Sequence, residues 1–223
     1  MTPDLTHIDS WLFDLDNTLY PLDSGFMQAI EQQMTGVVAR VTGLTIPEAF
    51  ALRERYLRDH GTTLAGLIKN HDVDPKAFLD EAHDVPLDLI RPDPALRTAL
   101  QRLPGRRLIF TNADEAHAVR VLAHLGVDDL FDDLFHIELA DYVPKPDPST
   151  FARMLGHHAL AGPSTCFFED SERNLSPAHD LGMTTVLVRP NALESTAAFV
   201  HHRTSDLTAF LNAAQVKETR ETP

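Results

Sequence analysis

The chain has a single cysteine, no long apolar run, and few basic residues: 19 lysines and arginines against 33 acidic side chains. One cysteine, Cys166, excludes an intrachain disulfide and suits a reducing cytosol. It lies in the apolar run Thr165-Cys166-Phe167-Phe168, which reads as core rather than as the surroundings of a nucleophile. The formal charge of −14 argues against nucleic-acid polymers and anionic membranes as partners, because both demand basic patches. It leaves a small phosphorylated substrate open, since a few placed cations and a metal suffice locally. No segment approaches the roughly 20 apolar residues of a membrane span. Met1-Thr2-Pro3-Asp4 has no basic n-region and no long apolar stretch follows, so no signal peptide is expected and the cytoplasm is the expected compartment. Internal repeats and low-complexity stretches are also missing.

What is present is an ordinary globular composition, 43% hydrophobic and 23% charged, in 223 residues. That length holds one domain, or a core with a smaller insert. Histidines number 12 and include the neighbours His157-His158 and His201-His202. Neighbours in a helix or strand point apart, so neither pair is expected to build a metal site.

The most informative stretch is Phe13-Asp14-Leu15-Asp16-Asn17-Thr18-Leu19-Tyr20. Ser10 to Phe13 reads as a short buried strand and Asn17 as a turn. Side chains two apart on a strand share a face, so Asp14 and Asp16 can converge where it ends. Two carboxylates held that close call for a counter-charge, and a divalent cation with oxygen ligands supplies one. An exposed pair of strand-end acids that is merely solvated is the plainer alternative.

Four further strands are expected at 107–111, 135–138, 165–169 and 185–188, separated by helical patterns at 115–125, 148–155 and 174–181. Such alternation predicts right-handed βαβ units and a doubly wound, Rossmann-like parallel sheet, an α/β fold. Residues 24–89 break the alternation and read as helices at 26–41, 46–60, 64–70 and 75–82. A helical cap over the end of the first strand is therefore expected at 23–89, inserted into a core of 1–22 and 90–214. Gly25 and Arg91-Pro92-Asp93-Pro94 read as hinges, and 215–223 as a frayed tail.

Ligands of open parallel sheets bind beyond the carboxyl ends of the strands. There the sequence offers, in order, Asp14 and Asp16, then Thr111-Asn112 at a helix start, then Lys145 between two prolines, then Glu169-Asp170-Ser171. A hydroxyl with free backbone amides suits a phosphate, and a helix cap is a compatible role for the same residues. A lysine whose backbone is fixed by Pro144 and Pro146 has a direction that matters, and a phosphate oxygen beside a nucleophile would use it.

These four groups resemble the four motifs of the haloacid dehalogenase superfamily of phosphotransferases, and the resemblance spans essentially the whole chain. It implies Asp14 as a nucleophile that becomes an aspartyl phosphate, and Asp16 as the acid/base. It implies Mg²⁺ held by Asp14, the Asp16 carbonyl and Asp170, with Glu169 reaching it through water. Thr111, the Asn112 backbone and Lys145 would hold the phosphoryl group. Asp16 favours phosphate chemistry over dehalogenation, since halide leaves without a proton. The linker Ser24-Gly25-Phe26-Met27 lacks the histidine of similarly capped sugar-phosphate mutases, which favours transfer to water. Segments such as Leu19-Tyr20-Pro21, His60-Gly61-Thr62-Thr63-Leu64 and Phe110-Thr111-Asn112-Ala113 are similar to pyrimidine 5′-nucleotidases of this superfamily. That likeness implies a pyrimidine nucleotide substrate, UMP or CMP, with Tyr56, His60, Thr62 and Thr63 as candidates to read it. Helix termination at His60-Gly61 and capping by Thr62 or Thr63 is the equally weighted alternative for these residues. Another small phosphomonoester, a 2-haloacid, and a silent binding protein are the competing readings of the whole.

Overall fold

The computed structural model describes residues 2–217. Its elements run β1 (Ser10–Phe13), α1 (Phe26–Thr42), α2 (Ile46–His60), α3 (Thr63–Asn70), α4 (Pro75–Ala82), α5 (Pro94–Gln101) and β2 (Arg106–Phe110). They continue α6 (Glu115–Leu125), β3 (Asp133–Phe135), α7 (Pro148–His158), β4 (Thr165–Glu169), α8 (Glu172–Asp180), β5 (Thr184–Val188), β6 (His202–Thr204) and α9 (Leu207–Ala213). The strands form one sheet in the order β3-β2-β1-β4-β5-β6, and every neighbouring pair is parallel. This is the doubly wound, Rossmann-like sheet the alternation predicts, with β1 at its centre.

Strand periodicity sorts the core into two layers. Trp11, Phe13, Ile109, Phe168 and Val186 face one way, onto α5, α6 and α9 through Leu100, Val121 and Leu211. Leu12, Leu108, Phe110, Phe167 and Leu187 face the other way, onto α7 and α8 through Phe151, Met154 and Leu175. The side-chain period of two is what splits consecutive residues between the layers. Phe13 and Phe168, paired across β1 and β4, stack at 4.6 Å. Truncating such a fully buried phenylalanine costs about 3–5 kcal/mol.

Helices α1–α4 make a third cluster of their own, centred on Val38, Leu52, Leu64, Leu67, Phe78 and Leu79. Of its buried members only Ile137 comes from outside these helices. Local signals explain their ends. Glu48 accepts from the Thr45 amide at 2.9 Å, opening α2, and Asp74 accepts from the amides of Lys76 and Ala77, opening α4. Gly61 closes α2 with φ +87°.

Several elements differ from expectation. The third strand lies at Asp133–Phe135 rather than 135–138, because Ile137 buries against the helical segment and leaves the sheet. β6 carries only partly buried His202, Arg203 and Thr204, so no apolar run announces it. α5 begins inside the expected Arg91–Pro94 hinge, where Asp93 accepts from the Ala95 amide. The fraying expected from residue 215 is not found at Gln215–Lys217. Gln215 exchanges backbone hydrogen bonds with Pro3 and Leu5, and Lys217 reaches Asp9 at 2.7 Å. Residues 218–223 lie outside the described ones. Among the described residues no helix is long and apolar enough to cross a membrane.

Candidate active site

The carboxyl ends of β1, β2 and β4 and the loop before α7 meet at one place. Asp14 continues the β1 ladder by one residue, its amide donating to the Phe168 carbonyl at 2.9 Å. Asn17, at φ +64°, then turns the chain so that Thr18 Oγ1 donates back to Asp14 Oδ2 at 3.2 Å. Lys145 is buried and its ammonium is fully used. It donates to Asp14 Oδ1 at 2.8 Å, to the Phe110 carbonyl at 2.7 Å and to Glu169 Oε2 at 2.8 Å. Burial opposes its charge, but the two carboxylates outweigh burial and raise its pKa. The Asn112 side chain fixes the lysine's backbone from both sides, accepting from its amide at 2.8 Å and donating to its carbonyl at 3.3 Å. Thr111 Oγ1 accepts from the Ala113 amide at 3.0 Å within the loop, and the cap of α6 is Asp114 rather than Thr111 or Asn112.

The ligand-type oxygens of Asp14, Glu169 and Asp170 lie within 4.8 Å of one another. With one ammonium among three carboxylates, negative charge is in excess. Burial and then Glu169 push the Asp14 carboxyl up to about 7 against the pull of Lys145. Burial, Glu169 and Asp14 push Asp170 well above the carboxylate range. An all-oxygen donor set lacking positive charge is what a hard divalent cation fits.

Asp16 behaves differently. Burial would raise it, but His117 and Tyr20 outweigh burial and hold it below the ordinary carboxylate value. Tyr20 Oη donates to Asp16 Oδ1 at 2.7 Å, and His117 Nε2 contacts the same oxygen at 2.9 Å. Two carboxylates two residues apart thus have opposite surroundings.

These groups floor a cavity of about 610 Å³ whose far wall comes from α1–α4. That wall is mixed: Met27, Ile30 and Met34 are apolar, while Glu31, Arg53 and Glu54 are charged. Arg53 is buried, bonded to Glu54 at 2.6 Å, and its Nε has no partner among the described residues. The sequence leads one to expect a helical cap here but does not name these wall residues, because an amphipathic helix does not announce which neighbour its face meets.

Of the four residues expected to read a leaving group, Thr62 and Thr63 line the cavity, and Thr62 also caps α3 by accepting from the Ala65 amide. Tyr56 and His60 do not line it, which corrects that expectation. Tyr56 packs against Gly66 and its hydroxyl meets His71 Nε2 at 3.0 Å, so it is core of the helical segment. His60 lies against the Tyr56 ring at 5.7 Å. Elsewhere, His157 and His158 at the end of α7 meet edge to face at 4.7 Å. Contrary to the expected divergence, they bring ring nitrogens within 4.8 Å of each other and of an Asp133 oxygen. Cys166 is buried and its thiol is pushed well up by burial, an inert core residue.

A doubly wound parallel sheet with carboxylates, a hydroxyl and a lysine gathered at its strand ends defines a Rossmann-like enzyme domain. Residues 8–182 match the haloacid dehalogenase-like hydrolase family, and the chain belongs to that family. It is 30% identical over 195 residues to "Phosphate metabolism protein 8" of Saccharomyces cerevisiae, covering 79% of this chain and 60% of that protein. It is 32% identical over 126 residues to "Fructose-1-phosphate phosphatase YqaB" of Escherichia coli, covering 53% of this chain and 65% of that protein. The chain therefore spans less than two thirds of either relative's length. Among solved structures, a HAD phosphatase from Thermococcus onnurineus matches with TM-score 0.59 at 18% identity, over 88% of this chain and 93% of that one. A 2-haloacid dehalogenase from Pseudomonas syringae matches with TM-score 0.57 at 18% identity, over 92% and 97%. At those identities the likeness concerns the fold.

Proposed function

We propose that this hydrolase is a Mg²⁺-dependent phosphomonoesterase that acts through an aspartyl phosphate on Asp14, with pyrimidine nucleoside monophosphates as its substrates. The observation that carries the reading is the set Asp14, Glu169 and Asp170 around Lys145, with Asp16 held apart by its own hydrogen bonds. Asp14, the Asp16 carbonyl and Asp170, with Glu169 beside them, would hold Mg²⁺, which neutralises charge on the phosphoryl oxygens when bound. Lys145, exchanging one of its three present bonds for a phosphoryl oxygen, holds the same group from the other side together with Thr111 and the Asn112 amide. An Asp14 carboxylate oxygen attacks phosphorus while the bond to the leaving oxygen breaks. Asp16 gives that oxygen a proton, then takes one from the water that releases phosphate.

In this reading residues 23–89 cap a core of 1–22 and 90–214, and the cytoplasm is the compartment. The mixed wall of Met27, Ile30, Met34, Glu31, Arg53 and Glu54 suits a leaving group with an apolar face and hydrogen-bonding edges, as a pyrimidine nucleoside has. A sugar phosphate is the second reading, favoured by the likeness to a protein named as a fructose-1-phosphate phosphatase. The retained Asp16 speaks against a dehalogenase.

The test is phosphate release from UMP, CMP, dUMP, AMP, ribose 5-phosphate and phosphoglycolate. Turnover should require Mg²⁺, disappear with EDTA, and disappear in Asp14→Asn. Activity retained by that variant overturns the nucleophile, and preference for a sugar phosphate over UMP and CMP overturns the substrate.

A further inference from the structure

Asp16 must present one carboxylate oxygen to the leaving group, and the residues that aim it are not part of the four strand-end groups. Both of its bonds, from Tyr20 and from His117, converge on Oδ1, while Asp16 lines the cavity. Among the described residues this leaves Oδ2 as the oxygen without a hydrogen bond. The His117 Nε2 carries the hydrogen of its bond, because Oδ1 accepts both when the carboxyl is ionised and when Oδ2 carries the proton for the leaving oxygen.

His117 stands in the first turn of α6, its side chain fully buried. Its ring is held between two rings of the helical segment. His83, just past α4, stacks on one at 4.1 Å, and Phe26, the first residue of α1, lies nearly parallel at 6.0 Å. Asp114 ties the arrangement together, accepting from the His117 amide with Oδ1 at 2.7 Å and meeting His83 Nδ1 with Oδ2 at 2.5 Å. Arg120 fixes the same place by donating to the His83 carbonyl. Among the described residues the His117 Nδ1 is buried without a partner, a cost that leucine or methionine would not carry. A residue kept only for packing has no use for that nitrogen, nor for a bond to a carboxylate 101 positions away.

We infer that His117 is a positioning residue that aims Asp16 at the leaving oxygen, and that the helical segment holds His117 in place through His83 and Phe26. Asp114 and His83 then couple the seating of α1–α4 on the core to the orientation of the acid. If the helical segment lifts, the His117 ring loses both of its neighbours and Asp16 keeps only Tyr20 as a fixed partner. The inference rests on Asp16 being the proton carrier of the proposed reaction.

Leaving groups of different basicity separate this role from a structural one. An alkoxide leaves with a proton from Asp16, whereas p-nitrophenolate leaves without one. The parameter to compare is kcat/KM, which covers only the steps through loss of the leaving group. With the full chain and saturating Mg²⁺, His117→Leu should lose about ten- to a hundred-fold in kcat/KM on the best alkyl phosphomonoester. On p-nitrophenyl phosphate it should lose less than about three-fold. His117→Gln, whose amide can reach Asp16, should recover most of the loss. His83→Phe, which keeps a stacking ring but drops the Asp114 bond, should lose an intermediate amount with the same dependence on leaving group. Asp16→Asn provides the reference. If it shows no dependence on leaving group, the proposed function fails. If it does and His117→Leu loses equally on both substrates, or His117→Gln gives no recovery, the positioning role fails. Thermal midpoints of the four variants identify any that does not fold, and His83→Phe then decides.

Discussion

At the scale of single residues, the chemistry of the site is a problem of counter-charge. Among the described residues Lys145 is the one ammonium bonded to Asp14 and Glu169, and Asp170 adds a third carboxylate within 4.8 Å of them. Removing the lysine leaves buried carboxylates uncompensated, which costs about 3–5 kcal/mol. Lys145→Met should therefore lower the thermal midpoint of the metal-free protein by roughly 6–20 °C in calorimetry. Asp14→Asn acts in the opposite sense, relieving repulsion from Glu169, so it should raise the metal-free midpoint while abolishing turnover. Millimolar Mg²⁺ should raise the wild-type midpoint by mass action, and Asp14→Asn should shrink that gain. A metal-independent midpoint in the wild type would argue against the cation site. Much of this was legible beforehand. Asp14, Asp16, Thr111, Glu169 and Asp170 lie at or just past strand ends, which can be read from apolar runs. Lys145, in the loop before α7, is marked by the prolines on either side of it. His117 and Arg53 were not, since each lies within a helical pattern where burial alone explains its neighbours.

Helix α2 and its end show how an element carries geometry between distant parts of the chain. Gly61 stops α2 in a conformation with φ +87°, open to glycine and strained for other residues. A side chain there would also meet Pro144 Cγ at 2.9 Å and the Lys145 carbonyl at 3.2 Å. The turn that ends the helix is thus pressed against the loop that aims the lysine. Gly61→Ala should cost about 1–3 kcal/mol by denaturant unfolding and should lower kcat more than its stability loss explains. Unchanged kcat would show that the Lys145 loop absorbs the added methyl group. The sequence marks this boundary well, through the histidine-glycine pair, yet it assigns Tyr56 and His60 to the substrate side. Amphipathic spacing identifies a buried face without saying whether it meets another helix or a ligand, and here Tyr56 meets Gly66 and His71. Strand β4 fell where the apolar run placed it, and β6, α5 and α9 escaped because short or polar elements depend on neighbours for their burial.

Across the whole molecule, what matters is how the helical segment is seated on the sheet. Its own hydrophobic cluster takes only Ile137 among its buried members from the core, while Phe26 and Ile30 of α1 are buried in the core's cluster. The two parts are thus joined by these apolar contacts, a few polar ties and the His83–His117 stack. One tie is Arg173, in the first turn of α8 beside the acidic pair, which donates to the Leu57 carbonyl at 3.1 Å and the Gly61 carbonyl at 2.8 Å. Those carbonyls lie at the negative end of the α2 dipole, where a guanidinium is favoured. Arg173 is exposed, so water competes for both bonds and the net contribution is about 1 kcal/mol. That is still a five-fold change in the ratio of seated to lifted arrangements, since RT is about 0.6 kcal/mol. Arg173→Ala should therefore raise KM several-fold on the preferred phosphomonoester and speed proteolysis of the connections into and out of α1–α4. Arg173→Lys, which lacks the planar fork that spans two carbonyls, should fall between. Because lifting the segment also frees His117, the same variant should lose more kcat/KM with an alkyl leaving group than with p-nitrophenolate. If Arg173→Ala changes neither KM nor proteolysis, the apolar contacts alone hold the two parts together, and Arg173 is a surface residue of α8.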